Sequence, residues 1–200
     1  MSRIMVKAAL AIATIMLSQQ ALAYSLKEYY AHQAPVIRSG AATSNKPSPA
    51  QGYKTSDPQF LQCFQDVGKR YNVNANLLIA HAIKESHLDP SAINRQPNGE
   101  AVGLMQIHSQ WFQRLERDYH ITRRMLLAEP CLNVSVGAWI IANNFSSRGV
   151  SWDTVGAYFG GYADSKADER LWYYGGKGGV REIYRRLQQG EDPMLVAGRR

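Results

Sequence analysis

Glu85 stands at the end of the apolar run Leu77-Leu78-Ile79-Ala80-His81-Ala82-Ile83 and is followed by Ser86. A carboxyl set in an apolar wall loses hydration, which penalises its charged form and raises its pKa. The C-terminal end of its own helix presents partial negative charge and pushes the same way. Such a group holds its proton near neutral pH, as cleavage of a glycosidic bond requires. From this spacing alone, a surface glutamate paired with Lys84 or a distant arginine fits equally well. Two further segments follow: Gly103-Leu104-Met105-Gln106-Ile107, eighteen residues on, and Gly156-Ala157-Tyr158-Phe159-Gly160, some fifty beyond it. A glycine at 103 permits close backbone approach. Met105 offers a polarizable apolar surface, for a sugar face or for core packing. Gln106 carries both a donor and an acceptor, which suits sugar hydroxyls and amides. His81 and Glu85 are four apart and His87 follows, but the order is not His-Glu-x-x-His and no third ligand is placed. His81 is therefore read as a core or cleft-wall histidine, with no metal and no cofactor.

The order and spacing of the three segments resemble the soluble lytic transglycosylases, bacterial enzymes that cut the glycan of peptidoglycan and share a fold with goose-type lysozyme. The resemblance covers about residues 60–188 and implies Glu85 as the catalytic acid and base. It implies that Ser86 helps position the sugar acetamido group or a water. The alternative for Ser86 is a bond to a carbonyl of its own helix. Gly103-Leu104-Met105-Gln106 is similar to the family's Gly-Leu-Met-Gln, which places Met105 and Gln106 at the substrate. Ala157-Tyr158-Phe159-Gly160-Gly161 stands where the family has Ala-Tyr-Asn-Ala-Gly. Tyr158 fits, its hydroxyl able to reach toward the glutamate. Phe159 departs from the pattern and loses an amide, which alters the local loop and one sugar subsite. A further family tyrosine falls on Tyr173, with Tyr174 as rival.

The elements that must position these residues are helical. Asp57-Pro58 reads as a cap and first helical position. Phe60, Phe64, Val67 and Tyr71 recur at helical spacing, with Cys63 on the side of Phe60 and Phe64. A second helix is expected from Ala75 to Ser86, capped by Asn74. Being apolar nearly all round, it is the expected central helix of the core. Pro90, Pro97 and Asn98-Gly99 mark residues 89–102 as loop or short β turns. Met105 to Trp111 reads as a short helix, followed by another to about Arg117 and one over 123–128 capped by Thr122. Pro130 opens a helix that ends near Gly149, and Ser151 caps one through Tyr158. The last two cover about 166–174 and 180–189. The fold class is thus all-α, a compact goose-type lysozyme-like domain with a small β-turn region near the cleft. Trp111, Trp139, Trp152 and Trp172 are expected in the core or the cleft walls.

Ahead of the domain, Arg3 and Lys7 form a basic region before the apolar stretch Ala8 to Leu17, and Ala21-Leu22-Ala23 is a small-x-small cleavage site. That is the pattern of a secretory signal peptide over 1–23. The apolar stretch falls short of the ~20 residues of a membrane span, and no later run reaches that length, so no integral span is expected after cleavage. Residues 24–56 scatter proline and glycine among Ser, Thr, Asn and Ala and are expected to be disordered. The domain is expected over 57–190, and 191–200 as a flexible tail. The formal net charge is +7, and removal of 1–23, which carries two basic residues and no acid, leaves +5. A basic surface favours anionic partners, but no Lys/Arg run interleaved with aromatics marks a nucleic-acid groove. The two cysteines, Cys63 and Cys131, can form a disulfide after export, the alternative being two buried thiols.

The resemblance implies cleavage of the bond between N-acetylmuramic acid and N-acetylglucosamine, with closure of a 1,6-anhydro ring, in the periplasm. Cys63, Glu129-Pro130-Cys131 and Ser151-Trp152 further resemble the specialised enzymes attached to secretion systems, conjugation machines and pili, whose components are the implied partners besides the glycan strands. Two other readings stay open. One is a lysozyme-like hydrolase, for which Asp89 and Glu100 are the acids in the loop after Glu85. The other is a non-catalytic peptidoglycan-binding assembly protein.

Overall fold

A computed structural model describes residues 58–198. The expected signal peptide, the segment 24–56, the cap at Asp57 and the last two residues lie outside the described residues. Helix α1, Pro58–Tyr71, turns Phe60, Phe64, Val67 and Tyr71 into the core. Its partner in sequence, α2, spans Ala75–Ser86, and the Asn74 side chain accepts from the Asn76 N–H at 2.9 Å. Every residue of α2 from Leu77 to Ile83 is buried, so its far end can carry a polar group into the interior only where a cleft relieves it. The helix closes through two left-handed residues, His87 (φ 53°) and Leu88 (φ 62°), whose N–H groups return to Ile83 and Ala82. Full burial of the Leu88 side chain offsets a conformation that a branched residue otherwise avoids.

Three short antiparallel strands follow: β1 (Ile93–Gln96), β2 (Gly99–Val102) and β3 (Ile107–His108), in that order across the sheet. Ile93 pairs with Val102 and Gln96 with Gly99, so Pro97-Asn98 form a two-residue hairpin; Val102 then pairs with Ile107. The helix expected over Met105–Trp111 is absent. Gln106 takes a left-handed φ of 45°, Ile107–His108 join the sheet, and only Ser109–Trp111 wind into a 3-10 turn. The chain is diverted there by a side chain from elsewhere: the Met105 N–H goes to Asn133 Oδ1 at 2.8 Å.

The remaining elements are helices α3 (Phe112–Tyr119), α4 (Arg123–Ala128, capped by Thr122), α5 (Pro130–Arg148), α6 (Trp152–Gly160, capped by Ser151), α7 (Ala167–Gly175), α8 (Val180–Gln188) and α9 (Pro193–Val196). Helix α5 is buried without a break from Pro130 to Ala142 apart from Cys131, which is partly covered. It packs on α1, to which Cys63–Cys131 ties it across a Cα–Cα distance of 5.8 Å. Helix α2 packs on α8, and α6 on α7. The described part of the expected tail carries α9, where Asp192 Oδ1 accepts from the Met194 N–H at 2.6 Å and Ala197 is buried. The capped turn packs Met194, Val196 and Ala197 against the core. The molecule is mostly helical, with the sheet confined to the region between α2 and α3. Among the described residues no helix is long and apolar enough to cross a membrane.

Candidate active site

A cleft of about 520 Å³ opens between the small sheet and the helices, lined among others by Glu85, Gln106, Trp111, Tyr158 and Phe159. Glu85 reaches it from the last turn of α2, where burial pushes its carboxyl up to about 7. The Tyr173 hydroxyl and the Lys84 ammonium pull in the other direction but do not cancel the loss of hydration. Tyr173 donates to Glu85 Oε1 at 2.6 Å. That bond fixes one carboxyl oxygen. Oε2 has no protein partner among the described residues, so it is the oxygen free to carry and deliver a proton.

Behind this pair lies His81, one turn before Glu85 and fully buried. Its Nδ1 is 2.8 Å from the Tyr173 hydroxyl. Because that hydroxyl gives its proton to Glu85, Nδ1 must donate, which sets the tautomer. Nε2 is then a bare acceptor, buried without a partner among the described residues. Burial lowers the imidazole to about 3, so it is neutral wherever the domain is folded near neutral pH. Its ring packs on Tyr158 and Tyr173, with centroids 5.0 and 5.6 Å away. Both phenols are held well above their ordinary value by burial and by the nearby Glu85 charge, so they act as neutral donors.

Tyr158 does not give its hydroxyl to Glu85. It donates to the Met105 carbonyl at 2.7 Å and so clamps α6 to the turn after Gly103. Met105 itself is fully buried, its side chain filling the space over Gly137, where a Cβ would come within 2.7 Å of it. It is a packing residue and offers no face to a sugar. Ser86 is also turned inward, its hydroxyl 2.8 Å from the Leu104 carbonyl and 3.1 Å from that of Ala82. With its proton committed there, it braces α2 against the turn. Gln106 lines the cleft, and its Nε2 donates to the Ala92 and Gly103 carbonyls at 3.2 and 2.9 Å. The amide oxygen remains for a ligand. Tyr174, the rival of Tyr173, faces away and stacks on Trp152 at 6.3 Å.

The frame rests on residues that the sequence motifs did not single out. Asn133 is fully buried in α5. Besides accepting from Met105, its Nδ2 donates to the carbonyls of Val102 and Leu126 at 2.9 and 3.2 Å. Gly103, at φ 74°, lies directly beneath it: a Cβ there would come within 2.2 Å of Asn133 Nδ2. Arg170 of α7 is nearly buried, bonds Asp153 at 2.8 Å and donates to the Gly161 and Ala163 carbonyls. It fixes the loop that follows Tyr158 and Phe159. The available signal for both is a polar residue at a position where the helical period demands an apolar one. Of the four tryptophans, Trp139 is in the core, Trp111 lines the cleft, Trp152 is partly buried, and Trp172 is largely exposed.

A buried helix that ends in a proton-holding carboxyl, facing a cleft walled by helices and a small sheet, defines a lysozyme-like helical domain. Residues 62–174 match the family model described as the transglycosylase SLT domain, and the chain belongs to that family. It is similar to Invasion protein IagB of Salmonella typhi, with 36% identity over 131 residues that cover 65% of this chain and 79% of that protein. Protein IpgF of Shigella flexneri is 38% identical over 125 residues, 62% of this chain and 78% of its own. An X polypeptide of Escherichia coli is 38% identical over 130 residues, 64% of this chain and 73% of its own.

Proposed function

We propose that the protein is a peptidoglycan lytic transglycosylase that cleaves the β-1,4 bond from N-acetylmuramic acid to N-acetylglucosamine. Glu85 gives the proton on Oε2 to the leaving oxygen as the C1–O bond breaks, and the substrate's own acetamido oxygen stabilises the positive C1. The ionised Glu85 then takes the proton of the C6 hydroxyl, and O6 closes onto C1. One bond breaks and one forms, the proton returns to Glu85, and no water is consumed. Tyr173 holds the carboxyl in place through both transfers. Gln106 offers its amide oxygen to a sugar donor.

The observation that carries this reading is a single carboxyl with a raised pKa on the cleft among the described residues, without a second one there poised to activate water. Asp89 accepts from the Ser91 N–H and hydroxyl. Glu100 lies in a two-pronged pair with Arg123 and is held below the usual carboxylate range by it. Neither lines the cleft. Glu169 does, at its rim, in an exposed pair with Lys166.

Export through the N-terminal signal would deliver the enzyme to the periplasm, where it opens the wall locally for an envelope-spanning secretion, conjugation or pilus machine. The name of the Salmonella relative, an invasion protein, supports that setting. The test is release of soluble muropeptides from purified sacculi by the mature protein, compared with Glu85→Gln. Release by the first and not by the second is expected, and equal release would remove Glu85 from the reaction.

A further inference from the structure

Phe159 and Trp172 stand out at the cleft rim, where 49% and 57% of their surfaces are exposed. Exposed apolar groups that adjoin a site commonly mark where a ligand lies. The two rings are 5.5 Å apart. Phe159 lines the cleft and is stacked nearly parallel on Tyr173, at 5.3 Å and 7°. Tyr173 in turn holds Glu85. The ledge is therefore continuous with the catalytic carboxyl and its orientation is set by the same tyrosine. At its outer end the Lys84 ammonium sits 4.1 Å from the centre of the Trp172 ring, held there by cation–π attraction. Lys84 makes no ion pair among the described residues, whereas Lys166, the lysine on the cleft itself, is paired with Glu169.

We propose that Phe159, Trp172 and Lys84 form a substrate subsite for a muramyl residue that carries its stem peptide. The sugar lies with its C–H face on the rings, and a carboxylate of the peptide pairs with the ammonium. The subsite rests on peptidoglycan being the substrate. It makes the enzyme prefer peptide-bearing strands over strands stripped of peptide. A flat, hydrogen-bearing sugar face matches an aromatic plane, and the half-buried cation beside it, without an ion pair among the described residues, matches the charge that only the peptide arm supplies.

Because Lys84 adjoins Glu85, the test is made on binding alone, in protein that already carries Glu85→Gln. The probes are purified glycan strands with their stem peptides and the same strands stripped by an amidase. The parent is expected to bind the peptide-bearing strands more tightly. Adding Trp172→Ala should weaken binding of both kinds by about tenfold. Adding Lys84→Gln should weaken the peptide-bearing strands alone, by about two- to fivefold at low salt, with the difference gone at high salt. Unchanged binding by Trp172→Ala, or equal losses on both kinds from Lys84→Gln, would overturn the subsite. Lys84 is on the surface of α2, so that arm holds even if loss of the tryptophan unfolds the domain. Digestion of sacculi by the unsubstituted protein separates the two ideas. Cleavage without dependence of binding on the ledge defeats the subsite alone. Ledge-dependent binding without cleavage defeats the enzymatic reading alone.

Discussion

One property of Glu85, a proton affinity raised by burial, bears on stability and, in the proposed reaction, on rate. Its carboxyl titrates at about 7 in the fold against 4.5 as an ordinary carboxyl. In the proposed reaction the acid form does the first chemical step, so the rate should be flat below neutrality and fall through an alkaline limb near pH 7. A pH–rate profile on a soluble muropeptide checks this, and a limb near pH 4.5 would contradict it. The sign for stability follows from the same shift. The unfolded carboxyl ionises first, so stability is fully present below about pH 4.5 and declines as pH rises through 7, by about 3 kcal/mol. His81 acts in the opposite sense: its folded value near 3 lies below the ordinary 6.5, so its contribution is lost as pH falls below 6.5. Glu85→Gln should therefore lose activity by about 10²–10⁴ and also melt at a higher temperature than the parent at pH 8, with little difference at pH 4. Tyr173→Phe removes the hydrogen bond that holds the Glu85 value down and strands the His81 Nδ1–H. The alkaline limb should move to higher pH, and unfolding should be easier by about 1–3 kcal/mol. A limb that stays or moves to lower pH would mean that the bond to Glu85 is not formed in solution.

At the scale of elements, the site depends on whether α5 holds the turn between β2 and β3. Asn133 makes three bonds to that turn and to the end of α4. Asn133→Ala takes the acceptor from the Met105 N–H in the interior, which should cost about 1–3 kcal/mol. The Tyr158 clamp on Met105 should loosen with it, so activity per folded molecule should drop. Denaturant melts alongside single-turnover rates check both; a variant as stable as the parent would show that the turn holds itself. This part of the fold was the least legible in the sequence. The caps at Asn74, Thr122 and Ser151 and the proline at 130 are local signals, and the helices begin where those signals stand. The turn at 103–108 is shaped by an asparagine some thirty residues away, and no window of local sequence contains that bond. The same reason explains the site residues. Glu85, Gln106 and Tyr158 announce themselves by motif and line one cleft. Ser86 and Met105 belong to the same motifs, yet they face inward, because only the packing of α2 and α5 decides which side of the turn is wet.

For the whole molecule, the disulfide joins α1 to α5 and closes a loop of 68 residues' separation. The chain-entropy model values such a closure at about 4 kcal/mol, with about 2–4 common in practice. Replacement of both Cys63 and Cys131 by alanine should lower the melting temperature by several degrees and leave turnover per folded molecule unchanged, since neither lines the cleft. Unaltered melting would show that the helices hold without the link. The central claim concerns what attacks C1. It is tested most directly by digestion of sacculi in water enriched in heavy oxygen, followed by mass analysis of the released ends. Intramolecular attack predicts 1,6-anhydro ends, lighter than reducing ends by one water and free of label. Reducing ends that carry the label would show that water is the nucleophile and that the protein is a hydrolase.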